Sequence, residues 1–296
     1  MPCFLHRPSR SIPCVRRKAA VPEGCEGAAQ MLEDVYWERM IMPDKNDVFH
    51  FEDHFSKQSQ QYAQYRPKYP QEIYAYLASI APGRSLAWDC GTGNGQAAVG
   101  LAKHFDKVHA SDASAEQISL AYPSDKVDYL VEPAEHVSLA ASSADLVTVA
   151  VAIHWFNFDE FYREVRRVLK PEGILAAWTY SLTEITPQVD ALVQRYYAEI
   201  LKGYWPERIN YLEERYETLP FPFDEIPSPS FVMKAEWDLG QFAGFLDSWS
   251  ATQRYKAQKG HHPLEIIWQE LAAAWGAEHE PRLVRWPLYF RIGRNK

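Results

Sequence analysis

Five short apolar runs alternate with helix-period segments between residues 85 and 180, and that alternation leaves few folds open. The runs are 85–89, 108–112, 127–131, 145–153 and 174–180. The fourth is almost wholly apolar, as a strand covered on both faces must be. Between the fourth and fifth, Phe158, Phe161, Tyr162, Val165, Val168 and Leu169 recur at helical spacing and define one apolar face. Lys170-Pro171-Glu172-Gly173 then ends that helix, because proline cannot continue it and glycine permits a tight turn. Ser114 caps a further helix, with Gln117 three residues on completing a capping box. Strand–helix alternation of this kind predicts a parallel sheet with right-handed crossovers and helices on both faces. Gln188 to Lys202 reads as a helix, and residues 231–237 and 285–292 read as two more strands. The expected fold is therefore α/β, a Rossmann-like, doubly wound, mostly parallel sheet of seven strands. Residues 203–260, rich in Pro, Tyr and Phe at their start, read as a C-terminal cover insertion.

The sharpest local signal is Asp89-Cys90-Gly91-Thr92-Gly93-Asn94-Gly95, which follows the first strand and opens a helix. Its glycines let the chain turn tightly and let a ligand approach bare backbone. In a doubly wound sheet this turn lies at the carboxyl ends of the strands, where ligands bind. A dinucleotide loop would need a third glycine where Gln96 stands. The acid two residues before Gly91 suits a ligand carrying a positive ammonium group and opposes a pyrophosphate. That pattern fits the methionine end of S-adenosylmethionine. Asp112, at the end of the second strand, can accept both ribose hydroxyls of this or a nicotinamide cofactor. A nicotinamide-dependent oxidoreductase remains the alternative at this point.

Charge narrows the partners. The chain has 296 residues and a formal net charge of -8, whereas a nucleic-acid binder usually presents a basic field. A small-molecule acceptor is expected, with neither nucleic acid nor membrane as partner and a monomer or homodimer as the assembly. No apolar run approaches the ~20 residues of a membrane helix. Cys3, Cys14, Cys25 and Cys90 form no Cys-x-x-Cys pair, so no metal site is expected and the thiols fit a reducing, cytoplasmic setting. Residues 1–45 stand apart: no acid precedes Glu23, and several prolines interrupt helix formation. A disordered extension is the expectation there, with organellar import through residues 1–20 as the alternative and a single α/β domain over 46–296.

The glycine loop, Asp112, Glu132-Pro133-Ala134-Glu135-His136, Ala152-Ile153-His154-Trp155-Phe156 and the run from Arg163 to Gly173 together resemble class I methyltransferases. Within them the chain resembles the trans-aconitate methyltransferase group, through Tyr65-Arg66-Pro67-Lys68-Tyr69-Pro70, Tyr204-Trp205-Pro206-Glu207-Arg208 and the segment from Ser248 to Tyr255. The resemblance implies that Asp89, Gly91, Thr92 and Gly93 hold the methionine moiety and Asp112 the ribose. It implies that Ala134 and Glu135 flank the adenine, and that Tyr65 and Arg66 lie over the methionine end. His154 and Trp155 would face the transferred methyl group. Glu172 departs from the family, which often has glycine there.

Methyl transfer is a displacement that needs alignment and a dry pocket. A carboxylate acceptor is already ionised at pH 7 and needs no base. Arg66, Arg208 or Arg254 could then grip a substrate carboxylate. A hydroxyl or amine acceptor would need a base, for which His154 is the first candidate. Trp205 and Trp249, with neighbouring tyrosines, would close the pocket. The expected activity is O-methylation of a small carboxylic acid. A protein or RNA methyltransferase is a further alternative.

Overall fold

A computed structural model describes residues 66–296. The expectations for residues 1–45 and for Tyr65 lie outside the described residues. Strands β1 (Leu86–Cys90), β2 (Lys107–Asp112), β3 (Val127–Val131), β4 (Ala144–Ala150) and β5 (Leu169–Tyr180) run parallel in the order β3-β2-β1-β4-β5. β8 (Arg282–Arg294) then pairs antiparallel with β5. Its outer edge is shared end to end by β7 (Phe231–Trp237) and the two-residue β6 (Asp224–Glu225). The described residues thus contain eight strands, which fill the seven sheet positions expected. The eighth is the short β6, lying in line with β7, so seven positions span the sheet.

Side chains alternate across a strand, so each strand feeds two cores. On one face Ala87, Val108, Leu146, Ile174, Ala176 and Trp178 meet helices Gln71–Ile80, Gln96–Leu101, Pro187–Arg195, Leu239–Asp247 and Trp268–Trp275. On the other, Trp88, Val147, Val149, Leu175 and Ala177 meet helix Phe158–Val168 and the segment around Tyr216 and Leu219. Each buried aliphatic side chain of valine size or larger among them stabilises the fold by roughly 1.5–3 kcal/mol, and each alanine by less. Helix Phe158–Val168 starts where Asn157 accepts from the Glu160 amide, and it buries Phe161, Tyr162, Val165 and Val168. Ser114 caps helix Ala115–Ser119 by accepting from Gln117 N. No helix among the described residues is long and apolar enough to cross a membrane.

Three departures from the expected elements have local causes. β4 ends at Ala150 rather than 153, because Val151 takes φ +54° and turns the chain out of the sheet. The turn expected at residues 170–173 is absorbed into the start of β5, where the register with β4 shifts. Glu172 has φ +64° there, the left-handed region that glycine enters freely. The helix expected over residues 188–202 is Pro187–Arg195 followed by a wider π turn, Tyr196–Ile200. That turn aims the Tyr197 carbonyl at the Trp205 indole, which donates to it at 3.1 Å.

Candidate active site at the carboxyl ends of the strands

Asp89 is almost fully buried beneath the glycine loop. The Thr92 hydroxyl donates to its Oδ2 at 2.5 Å and the Thr148 hydroxyl to its Oδ1 at 2.7 Å. Burial pushes its carboxyl up to about 6, against the pull of those two hydroxyls. Thr148 stands directly across from Asp89 in the parallel register of β1 and β4. It was not singled out from the sequence, although it is the one hydroxyl in the apolar stretch from Leu146 to Ala150.

Gly91, Gly93 and Gly95 all have positive φ, at 64°, 55° and 81°. Their surroundings differ. A Cβ on Gly91 would lie 2.7 Å from Ala152 Cβ, and one on Gly95 would lie 2.3 Å from the Tyr129 hydroxyl. A Cβ on Gly93 would meet only Gln117 Oε1, at 3.7 Å. Gly91 and Gly95 are therefore bare because neighbouring chain crowds them, whereas Gly93 is uncrowded, with Gln117 at ordinary contact distance. The Gly93 amide donates to Asp112 Oδ2 at 2.8 Å and the Ser114 amide to Oδ1 at 2.9 Å. The ends of β1 and β2 are thereby joined through one carboxylate.

The loop after β3 completes this rim. Glu132 pairs with His109 at 2.8 Å, Ala134 is buried, and Glu135 Oε1 accepts from the Asn157 amide at 2.9 Å. Burial first, and then the charges of Glu135, Asp89 and Asp112, push the Cys90 thiol well up. Three of the expected site carboxylates thus converge on the end of β1. On the far side of the loop, Ile153–Trp155 form a single 3₁₀ turn in which His154 is buried and its ring lies 4.9 Å from that of Trp155. Burial and then the Arg208 charge hold the imidazole down at about 3, so it is neutral at pH 7.

A family model described as a methyltransferase domain matches residues 88–177, from β1 into β5. A Dictyostelium discoideum protein described as a methyltransferase is 37% identical over 253 residues, 83% of this chain and 96% of that protein. The solved structure of an Anaeromyxobacter dehalogenans protein, described as a type II methyltransferase, matches with a TM-score of 0.73 at 43% identity. It covers 77% of this chain and 97% of that one. This chain is a class I S-adenosylmethionine-dependent methyltransferase. The yeast protein CRG1, described as S-adenosylmethionine-dependent, is 25% identical over 279 residues.

The cofactor of this methyltransferase is S-adenosylmethionine, and the loop suits it. The uncrowded, half-buried backbone at Gly93 leaves room for a ligand, and the rim around it is acidic rather than basic. Such a rim attracts a ligand with an ammonium and a sulfonium and repels a pyrophosphate. The nicotinamide alternative falls away with the family assignment.

The remaining expected residues lie on the cover side. Arg66 donates to the Tyr180 hydroxyl at the end of β5 and to the Ser248 carbonyl at 3.3 Å, and it sits 5.5 Å over the Phe245 ring. Gln96, which the sequence offered only as a missing glycine, holds this segment down. Its side chain accepts from the Tyr69 amide at 3.0 Å and donates to the Pro67 carbonyl at 3.2 Å. Trp205 and Trp249 pack together at 5.6 Å, both against Tyr197. Arg254 donates to the Tyr204 carbonyl at 3.4 Å. Arg208 donates to the carbonyls of His154 and Phe156 at 3.2 and 2.8 Å. Of the three arginines considered for a substrate carboxylate, Arg208 holds two backbone carbonyls and Arg254 one, while Arg66 holds one carbonyl and the hydroxyl at the end of β5.

Proposed function

We propose that this methyltransferase transfers a methyl group to an oxygen of a small carboxylic acid. The observation that carries the reading is His154. We take it as the histidine that would face the acceptor, and its burial leaves it too weakly basic to take a proton from a hydroxyl or amine at neutral pH. An acceptor that arrives already ionised meets no such requirement, and carboxylates ionise near pH 4. Arg66, between the Tyr180 hydroxyl and the Ser248 carbonyl, is the cation we assign to the acid.

S-adenosylmethionine supplies, when bound, an electrophilic methyl group on a sulfonium. The chain's own residues bind and orient. Asp89, Gly91, Thr92 and Gly93 would receive the methionine end, Asp112 the ribose, and Ala134 and Glu135 the adenine. Trp155, Trp205, Trp249 and Arg254 would border the acceptor and exclude water. Two further points support a small acid. The net charge of -8 opposes a nucleic-acid acceptor. A Methylovorus malonyl-[acyl-carrier protein] O-methyltransferase is 33% identical over 110 residues of this chain, 37% of that protein.

The test is incubation of the full chain with labelled S-adenosylmethionine and a panel of small mono-, di- and tricarboxylic acids, trans-aconitate included, beside amines and phenols. Label that alkali releases as methanol marks a methyl ester and supports the reading. Alkali-stable label on an amine or phenol overturns it. With an acid substrate, Arg66→Lys is expected to raise KM about tenfold or more, since lysine cannot hold a carboxylate in bidentate fashion.

A further inference from the structure

Two backbone turns that most residues avoid meet at His154. β4 leaves the sheet through Val151, whose φ of +54° is rare for a β-branched side chain. From the cover side, Arg215 and Tyr216 are consecutive residues in the same left-handed region, at 55° and 63°. Tyr216 is fully buried, and its hydroxyl lies 3.0 Å from His154 Nδ1. Non-glycine residues persist in such conformations only where their surroundings over-determine them, and they cluster at functional sites.

The surroundings here are specific. Arg291 donates to the carbonyls of Tyr216, Glu217 and Leu219 at 2.8, 3.3 and 3.0 Å, so one guanidinium grips the whole turn. The remaining donors of Arg291 form a two-point pair with Glu225, at 2.9 and 2.7 Å. Arg215 lies 4.6 Å over the Tyr289 ring, two residues from Arg291 on the same face of β8. On the other side Arg208 stitches the carbonyls of His154 and Phe156. A phenylalanine at 216 would fill the same volume. The hydroxyl is the part that packing does not explain, because a buried hydroxyl must find a partner. It faces the His154 imidazole at 3.0 Å, and the buried Thr179 hydroxyl is its other polar neighbour. A hydrogen bond at one ring nitrogen decides which tautomer a histidine adopts and which way the ring faces.

We propose that Tyr216 is a positioning residue: its hydroxyl fixes one ring orientation and one tautomer of His154, and the Glu225–Arg291 pair holds Tyr216 in place to do so. The effect is to present the other ring nitrogen, Nε2, to the acceptor in a single form. This rests on the reading of His154 as an acceptor-lining residue.

The experiment uses the full chain labelled with ¹⁵N-histidine and saturated with S-adenosylhomocysteine. Long-range ¹H–¹⁵N spectra report the tautomer, and His154→Gln assigns the signals. The wild type is expected to show one tautomer at His154. Tyr216→Phe is expected to give a mixture, with S-adenosylhomocysteine affinity within about twofold and kcat on the acid substrate reduced about tenfold. Glu225→Gln, which keeps Tyr216 but weakens its clamp, is expected to give the same mixture in smaller proportion. An unchanged His154 pattern in both variants overturns the proposal, as does a mixture already present in the wild type. The spectra need no acceptor. If no acid is methylated while the tautomer shifts as stated, the function reading fails and the positioning role stands.

Discussion

At residue scale Asp89 carries two duties that pull apart. It braces the glycine loop through Thr92 and Thr148, and it lies buried where a charge is costly. Its carboxyl is raised from 3.8 to about 6 in the folded chain. Between about pH 4 and about pH 6 the native state therefore keeps a proton that the unfolded chain has released. Asp89 contributes stability below about pH 4, and that contribution is lost as pH rises through about 6. Asp89→Asn, which mimics the protonated form, should gain on the wild type in urea midpoint from pH 4 to 6 and then hold a constant lead. A difference that is flat across pH 4 to 7 would refute the burial argument. The sequence placed Asp89, Gly93 and Asp112 around one turn by spacing alone. It could not reveal that Thr148, 59 residues away, completes the carboxylate's shell, because the pairing of β1 with β4 brings it there.

At the scale of elements, helix Gln96–Leu101 shows how one side chain links two segments. Gln96 stands in its first turn and fastens the segment from Pro67 to Tyr69 across that end. Tyr69 then packs edge-on against Trp178 at 5.5 Å, and Arg66 reaches Tyr180 and Ser248. Gln96→Ala should loosen this strap. Isothermal titration is expected to show S-adenosylhomocysteine binding weakened about three- to tenfold, with the unfolding midpoint moved by only about 2 °C. A large loss of midpoint with unchanged affinity would make Gln96 a core residue instead. The amphipathic helix Phe158–Val168 was legible because 3.6-residue periodicity survives any context. The end of β4 was not, since Ile153 is as buried in its turn as it would be in a strand, and hydrophobicity reads the same for both. The π turn at Tyr196–Ile200 was illegible for a similar reason: it answers to Trp205, which lies outside the helix.

For the whole molecule, the sheet joins the side proposed for the cofactor to the side proposed for the acceptor. β1, β2 and the loop after β3 present the acidic rim, while the ends of β4 and β5 present His154 and Tyr180 beneath the cover. A ligand seated against several strand ends stabilises the fold as a unit. At 100 times its dissociation constant, S-adenosylhomocysteine should add about 2.7 kcal/mol. For a chain of this size that is roughly 5–10 °C in unfolding midpoint. NAD at the same concentration should leave the midpoint unchanged, and a rise with NAD alone would contradict the acid-rim argument.

The sequence by itself determined the α/β alternation and the glycine loop with its two carboxylates, and through them narrowed the cofactor to S-adenosylmethionine or a nicotinamide. Those features are local: a strand ending, a tight turn and a helix start are written in neighbouring residues. Only the tertiary structure decided which arginine is spent on backbone, which hydroxyls complete the Asp89 shell, and that Tyr216 meets His154 from 62 residues away. Those contacts join segments far apart in the chain, where no periodicity or spacing rule connects the partners. Burial, which sets the charge of both Asp89 and His154, is likewise a property of the packed fold.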